Sequence, residues 1–169
     1  MGDVKNLTAT DAVKKIREIA EDANICMFVT DLSNLPLAAR PMATQEVDEE
    51  GNLWFMSDKD SVKNLQIEND DQVQLFYSHT GSYEYLSIFG HAEIIHDRKK
   101  IEELWTQMAK TWFKEGKDDP GISLIKVIPE DAYYWDTKNN KMVSLIKFAM
   151  GAMGLTPKDD GGIEGKLNV

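Results

Sequence analysis

Apolar and polar positions change period several times along the chain, and each change marks an element. From Thr10 to Ala23, Ala12, Ile16, Ile19, Ala20 and Ala23 recur at helical spacing, while Lys14, Lys15, Arg17, Glu18 and Glu21 fall largely on the other face. Thr8 with Asp11 resembles a capping-box start, so the segment is predicted as an amphipathic helix. The period then shortens. Ile25–Thr30 reads as a buried strand, Leu32–Pro36 as a turn and Leu37–Val47 as a second strand. Asp48-Glu49-Glu50-Gly51 closes a hairpin onto a third strand, Asn52–Ser57.

A polar connection leads to a short helix, Ser61–Glu68. Gln72–His79 is a fourth strand, Gly81-Ser82 a turn, and Tyr83–Ile95 a long fifth strand. A helix is predicted from Asp97 to Lys114, with Ile101, Leu104, Trp105, Met108 and Trp112 on one stripe. Ile122–Trp135 is the sixth strand and Met142–Met153 a final helix. Six mostly antiparallel strands with helices at the breaks predict a closed or partly closed β-barrel with helical decoration. We expect one domain over residues 1–169, with its core at 8–155 and a flexible, Gly- and Asp-rich tail at 156–169.

Composition narrows the partners. A chain of 169 residues buries roughly 70% of its unfolded surface on folding and needs no disulfide or metal staple. The single cysteine, Cys26, sits in the apolar run Ile25–Val29 and reads as a buried thiol, and no Cys/His spacing suits zinc. Met1–Asn6 lacks a basic start followed by an apolar core, and no apolar run approaches the ~20 residues that span a bilayer. A soluble, cytoplasmic protein with no membrane partner is expected. The net charge of −10 leaves no basic footprint for nucleic acid. A small anion needs only a few converging donors, so charge in bulk does not exclude it.

Such donors occur in Leu53–Leu65. The segment runs from strand through polar loop to helix start, where free N–H groups and the helix dipole favour an anion. Ser57 and Ser61 add hydroxyls, and Lys59 and Lys63 add charge. Arg40, on the preceding strand, lies across the hairpin and could grip a phosphate bidentately. Asp58 and Asp60 argue the other way, since either can cap the helix and both would repel a phosphate. An anion site and an ordinary capped helix both remain open on these residues alone.

Ala39-Arg40-Pro41-Met42, Leu53-Trp54-Phe55-Met56-Ser57 with Ser61-x-Lys63, and Gly90-His91-Ala92-Glu93 resemble the pyridoxamine 5'-phosphate oxidase-like FMN-binding split-barrel superfamily. Glu103-Leu104-Trp105, Trp112-Phe113-x-x-Gly116 with Asp118-Asp119-Pro120, and Tyr134-Trp135-Asp136 are similar to its bacterial general-stress-protein branch. The resemblance covers residues 8–155. It implies a six-stranded split barrel that dimerises with itself and holds two flavins in grooves between subunits. It implies phosphate contacts at Arg40, Ser57, Ser61 and Lys63, and a ring lined by Pro41, Met42, Phe55 and Met56. Trp135 of the partner subunit and Trp112 would close over the flavin. Ser57 stands where many relatives have threonine, so the hydroxyl is kept.

The remaining aromatics and histidines have plainer readings. Trp54 and Trp105 lie on apolar stripes and read as core. Trp135, at a strand end, suits a dimer contact as well as a ligand shelf. His79, His91 and His96 show no catalytic spacing, and no metal site is expected. The resemblance points to FMN, with a deazaflavin or haem as alternatives, and to an oxidoreductase with an unidentified substrate or a non-catalytic flavin protein. Residues Leu155–Gly162 are acidic where true pyridoxamine-phosphate oxidases carry a basic motif, so that activity is not expected.

Overall fold

The structure of the protein, a computed structural model, is described for residues 3–137 and 162–168. Nine strands and three helices follow in the order β1 (Asp3–Val4), β2 (Leu7–Thr8), α1 (Ala9–Ala23), β3 (Ile25–Thr30), β4 (Ala38–Val47), β5 (Leu53–Asp58), α2 (Val62–Asn69), β6 (Gln72–His79), β7 (Glu84–Ile95), α3 (Arg98–Leu104), β8 (Ile122–Thr137) and β9 (Gly162–Asn168). Neighbouring strands run β8-β5-β4-β3-β6-β7, and β7 pairs back with β8. Six antiparallel strands therefore close on themselves, as a split barrel requires.

Strand alternation builds the barrel interior. Along β5, Leu53, Phe55 and Ser57 are buried while Trp54 and Met56 are half-exposed. Phe28 meets Phe55 edge-on inside, with ring centroids 5.1 Å apart. α1 lays Ala12, Ile16, Ile19 and Ala20 on the same core. Arg17, on its polar side, donates to the carbonyls of Val47 and Asp48, which ties the helix to the β4–β5 turn. Cys26 is buried in this core, and burial pushes its thiol up to about 12.

The length of β8 explains how one strand serves three neighbours. Residues 122–127 pair with β5, and 132–137 pair with β9 along the same edge. Its other edge takes β7, with a bulge at Phe89/Gly90. A side chain at Gly90 would meet the Ile128 carbonyl oxygen at 2.3 Å, so only glycine fits there.

Two expectations change. Residues 162–168, expected in a flexible tail, form β9, which covers the β8 edge and takes β1 and β2 in parallel. The helix predicted over Asp97–Lys114 ends at Leu104, and residues 109–111 and 116–118 are single 3-10 turns. Asp97 caps α3, with its carboxylate accepting from the N–H groups of Lys99 and Lys100. Breaking the helix lets Ala109 and Phe113 join Ile101, Leu104, Ile122 and Leu124 in a second cluster outside the barrel. The predicted stripe splits accordingly, leaving Met108 and Trp112 exposed. Trp54 and Trp105 pack against this second cluster, not inside the barrel. The helix predicted over Met142–Met153 lies outside the described residues.

Candidate functional site

β4, the end of β5, the start of α2 and the segment around residues 106–113 enclose a cleft of about 600 Å3, inside the roughly 300–1,000 Å3 usual for small-molecule sites. Pro41, Met42, Ala43 and Met56 form its apolar floor, and Met108, Ala109, Trp112 and Phe113 form the facing wall. Arg40, Ser57, Asp58 and Lys63 gather at the cationic part of the lining. The broken helix thus has a local purpose. In a continuous helix Met108 and Trp112 would continue the stripe of Ile101 and Leu104; after the break Ala109 and Phe113 take that place and Trp112 faces the cleft.

The cationic end rests on α2. Ser61 is its N-cap, and the hydroxyl accepts from the Asn64 N–H at 3.4 Å. Neither Asp58 nor Asp60 holds that position, so the helix is capped as the plainer reading allowed, but by Ser61 and not by an aspartate. The Asp58 carboxylate instead accepts from the Asp60 N–H at 2.9 Å and closes the turn. Lys63 Nζ donates to Ser61 Oγ at 3.2 Å, and Ser57 Oγ lies 3.3 Å from Ser61 Oγ. Arg40 donates through Nη1 to Thr30 Oγ1 at 2.7 Å and through Nη2 to Gln66 Oε1 at 3.3 Å.

Among the described residues no carboxylate oxygen lies within 4.0 Å of either Arg40 or Lys63. Burial lowers the arginine's pKa. Lys63 is lowered by burial and then by the Arg40 charge, with Asp58 pulling weakly the other way. Two like charges held together, offset only by Asp58 beyond ion-pair distance, in a chain of net charge −10, are poised for an external anion.

Of the ten residues expected to bind a cofactor, Arg40, Pro41, Met42, Met56, Ser57, Lys63 and Trp112 line this cleft. Ser61 stands directly behind it through Ser57 and Lys63. The Phe55 side chain does not line it. It shares the inward face of β5 with Leu53 and is fully buried against Phe28, so only its backbone is available. Trp135 is also elsewhere in the chain, on β8 opposite Tyr85 and tilted against Tyr133 with ring centroids 4.8 Å apart. Sequence reasoning missed Asn24, Thr44, Gln45, Thr106, Met108, Ala109 and Phe113 as cleft residues. It also missed Thr30, Asn64 and Gln66 as their support. Their signal is tertiary, since polar residues on a strand or helix do not announce burial.

No histidine lines the cleft. His79 pairs with Ser82 at 2.5 Å, and His91 bridges Asp71 at 3.0 Å and Glu130 at 2.8 Å. Among the described residues no group of three or more His, Cys, Asp or Glu converges as for a metal ion. No helix there is long and apolar enough to cross a membrane.

A closed six-stranded barrel with a cationic, apolar-floored cleft beside it defines a protein of the split-barrel class. The model of the family described as pyridoxamine 5'-phosphate oxidase like matches residues 11–159, and the chain belongs to that family. It is 28% identical over 96 residues to general stress protein 26 of Bacillus subtilis, covering 55% of this chain and 68% of that one. Among solved structures, a Jannaschia sp. CCS1 protein crystallised as a candidate general stress protein 26 has a TM-score of 0.72 at 22% identity, covering 94% of this chain and 98% of that one. A general stress FMN/FAD binding protein from Xanthomonas citri has a TM-score of 0.65 at 24% identity, covering 76% and 90%.

Proposed function

We propose that the cleft binds FMN. The observation that carries this reading is the Arg40–Lys63 pair, with no described carboxylate at ion-pair distance, at the capped start of α2 and at one end of an apolar slot. Arg40, Ser57, Ser61 and Lys63 would hold the phosphate, and Pro41, Met42, Met56 and Trp112 would lie against the ring system. The Xanthomonas citri protein of the same fold is named as an FMN/FAD binder, which supports a flavin here. A bound flavin would supply hydride or electron transfer, so the chain need only position it and control access. We therefore read the protein as an FMN-dependent oxidoreductase whose substrate is unidentified. Haem gains no support, because neither His79 nor His91 faces the cleft.

We further propose a homodimer. Pro41 on β4, Met27 on β3 and Phe76 on β6 are register neighbours, and Ser87 and Tyr133 continue the row. Tyr85 and Trp135 form the next row on the same outer face. Met27, Phe76, Tyr85 and Trp135 are all exposed. This apolar band leads from the cleft wall to Trp135, and large exposed apolar bands mark interfaces. In a two-fold pair each copy offers the same band, which would carry Trp135 of one copy toward the cleft of the other.

Titration with FMN and with riboflavin, together with the visible spectrum of the purified protein, tests the first proposal. Tighter binding of FMN than of riboflavin supports it, and binding of neither ligand overturns it. Sedimentation with bound FMN tests the second, and a monomer that retains FMN overturns the dimer.

A further inference from the structure

The serines of the cationic end do not stand alone. Asn64, one residue after Lys63 on α2, is buried to 1% exposure in a small polar wedge between α2, β5 and β8. Its Oδ1 accepts from Ser57 Oγ at 2.6 Å and from Ser61 Oγ at 3.2 Å. Its Nδ2 donates to Ser123 Oγ at 2.8 Å and to the Lys59 carbonyl at 3.5 Å. Ser123 Oγ in turn donates to the Ser57 carbonyl at 3.1 Å. The orientation of the amide is dictated by these partners, since only its oxygen can face two hydroxyl donors and only its nitrogen can face a carbonyl.

Gln66 plays the corresponding part for the arginine. Its Oε1 accepts from Thr30 Oγ1 at 2.6 Å and from Arg40 Nη2 at 3.3 Å. Thr30, itself fully buried, also accepts from Arg40 Nη1 at 2.7 Å. Two neutral amides on one helix thus set the donors of the cleft, one behind the serines and one behind the guanidinium.

We infer that Asn64 and Gln66 are positioning residues for a phosphate ester in the cleft, acting through Ser57, Ser61 and Arg40; this rests on the FMN reading given above. Neutrality is the essential property. A hydroxyl has one proton, and both serines now give theirs to Asn64 Oδ1. An arriving phosphate can take one of the two while the amide oxygen keeps the other, so neither group is left unsatisfied. A carboxylate in the same place would hold both protons more strongly, and its charge would repel the phosphate. It could also donate nothing to Lys59 or Ser123.

The experiment is fluorescence titration of folded variants with FMN and with riboflavin, at pH 5.5 and pH 8. Asn64→Ala is expected to weaken FMN about tenfold, the equivalent of one hydrogen bond to a charged group, and to leave riboflavin within about twofold. Asn64→Asp is expected to lose more than the alanine variant at pH 8. Its deficit relative to the wild type should narrow at pH 5.5, where a buried carboxyl regains its proton and can donate again. Gln66→Met should weaken FMN but not riboflavin, and adding Arg40→Ala to it should cost little more than Arg40→Ala alone.

Equal losses of FMN and riboflavin, or an Asn64→Asp deficit with no pH dependence, would reduce these amides to structural residues and overturn the inference. If Arg40→Ala and Lys63→Ala weaken FMN selectively while Asn64→Ala does not, the inference fails and the FMN reading stands. If those two variants also leave FMN untouched, both fail together.

Discussion

Lys15 and Lys63 are both drawn out of water, and their surroundings push them in opposite directions. Lys15 Nζ lies 2.6 Å from Asp136, 3.2 Å from Glu18 and 3.3 Å from Glu84. Burial works against its charge, but the hydrogen bond and charge of Asp136, then those of Glu18, outweigh it and raise the pKa above that of an ordinary lysine. Burial also works against Lys63, and there the charge of Arg40 lowers it further, outweighing Asp58. The first lysine is spent on the fold, since it joins α1 to the start of β7 and the end of β8. The second has charge to spare, and a half-buried cation with no carboxylate at ion-pair distance is where an anion belongs.

The contrast can be broken most forcefully at Lys15. Lys15→Met removes the ammonium held against Glu84, whose side chain is 9% exposed and which keeps only Ser82 and His79 beside it among the described residues. The expected loss is about 3 kcal/mol of stability in urea denaturation at neutral pH, with FMN affinity of the folded protein unchanged. Unchanged stability would mean that the two lysines do not differ in the way described.

Next come the cleft cations. Arg40→Ala and Lys63→Ala should each weaken FMN by roughly 10- to 100-fold, the worth of a charge-assisted hydrogen bond, and leave riboflavin nearly unaffected. Lys63→Ala should change stability by no more than about 0.5 kcal/mol, because relief of the repulsion offsets its hydrogen bond to Ser61 and no ion pair is lost. A large loss of stability at Lys63 would make it a second Lys15 and remove the argument for a ligand.

The smallest effect belongs to an exposed histidine with two acidic neighbours. Hydrogen bonds from the His91 ring to the carboxylates of Asp71 and then Glu130 raise its pKa. A raised pKa adds stability that is complete below the unfolded value of about 6.5 and is lost as pH rises through the higher folded value. His91→Gln should therefore flatten the urea midpoint between pH 6 and pH 8.5, with a small amplitude because the site faces solvent. A wild-type midpoint that rises across this range would contradict the sign.

Much of the barrel was legible from pattern alone. Ile25–Thr30 and Gln72–His79 are strands with the predicted boundaries, and the Asp48–Gly51 turn closes where expected, with Asp48 N–H bonded to the Asn52 carbonyl at 3.0 Å. These elements are local, because alternation and turn chemistry are written in consecutive residues. Arg40, Ser57, Ser61 and Lys63 were also recoverable, through a motif whose members lie on adjoining elements. The stretch after Leu104 was not. Its apolar spacing suits a helix, yet burial of Ala109 and Phe113 against Ile122 and Leu124 outweighed that preference.

The sequence by itself determined the six strands, their mostly antiparallel order and the residue types able to hold an anion, since period and residue chemistry are properties of the chain. The tertiary structure alone decided the rest. It put Phe55 inside and Met56 on the cleft, bound residues 162–168 to β8, and set Asn64 and Gln66 behind the serines and the arginine. It also made Lys15, in the middle of α1, an ion-pair partner and left Lys63, in the first turn of α2, with no described carboxylate oxygen within 4.0 Å. Which charges are compensated depends on strands and helices distant in sequence meeting at one point, and no local pattern records that.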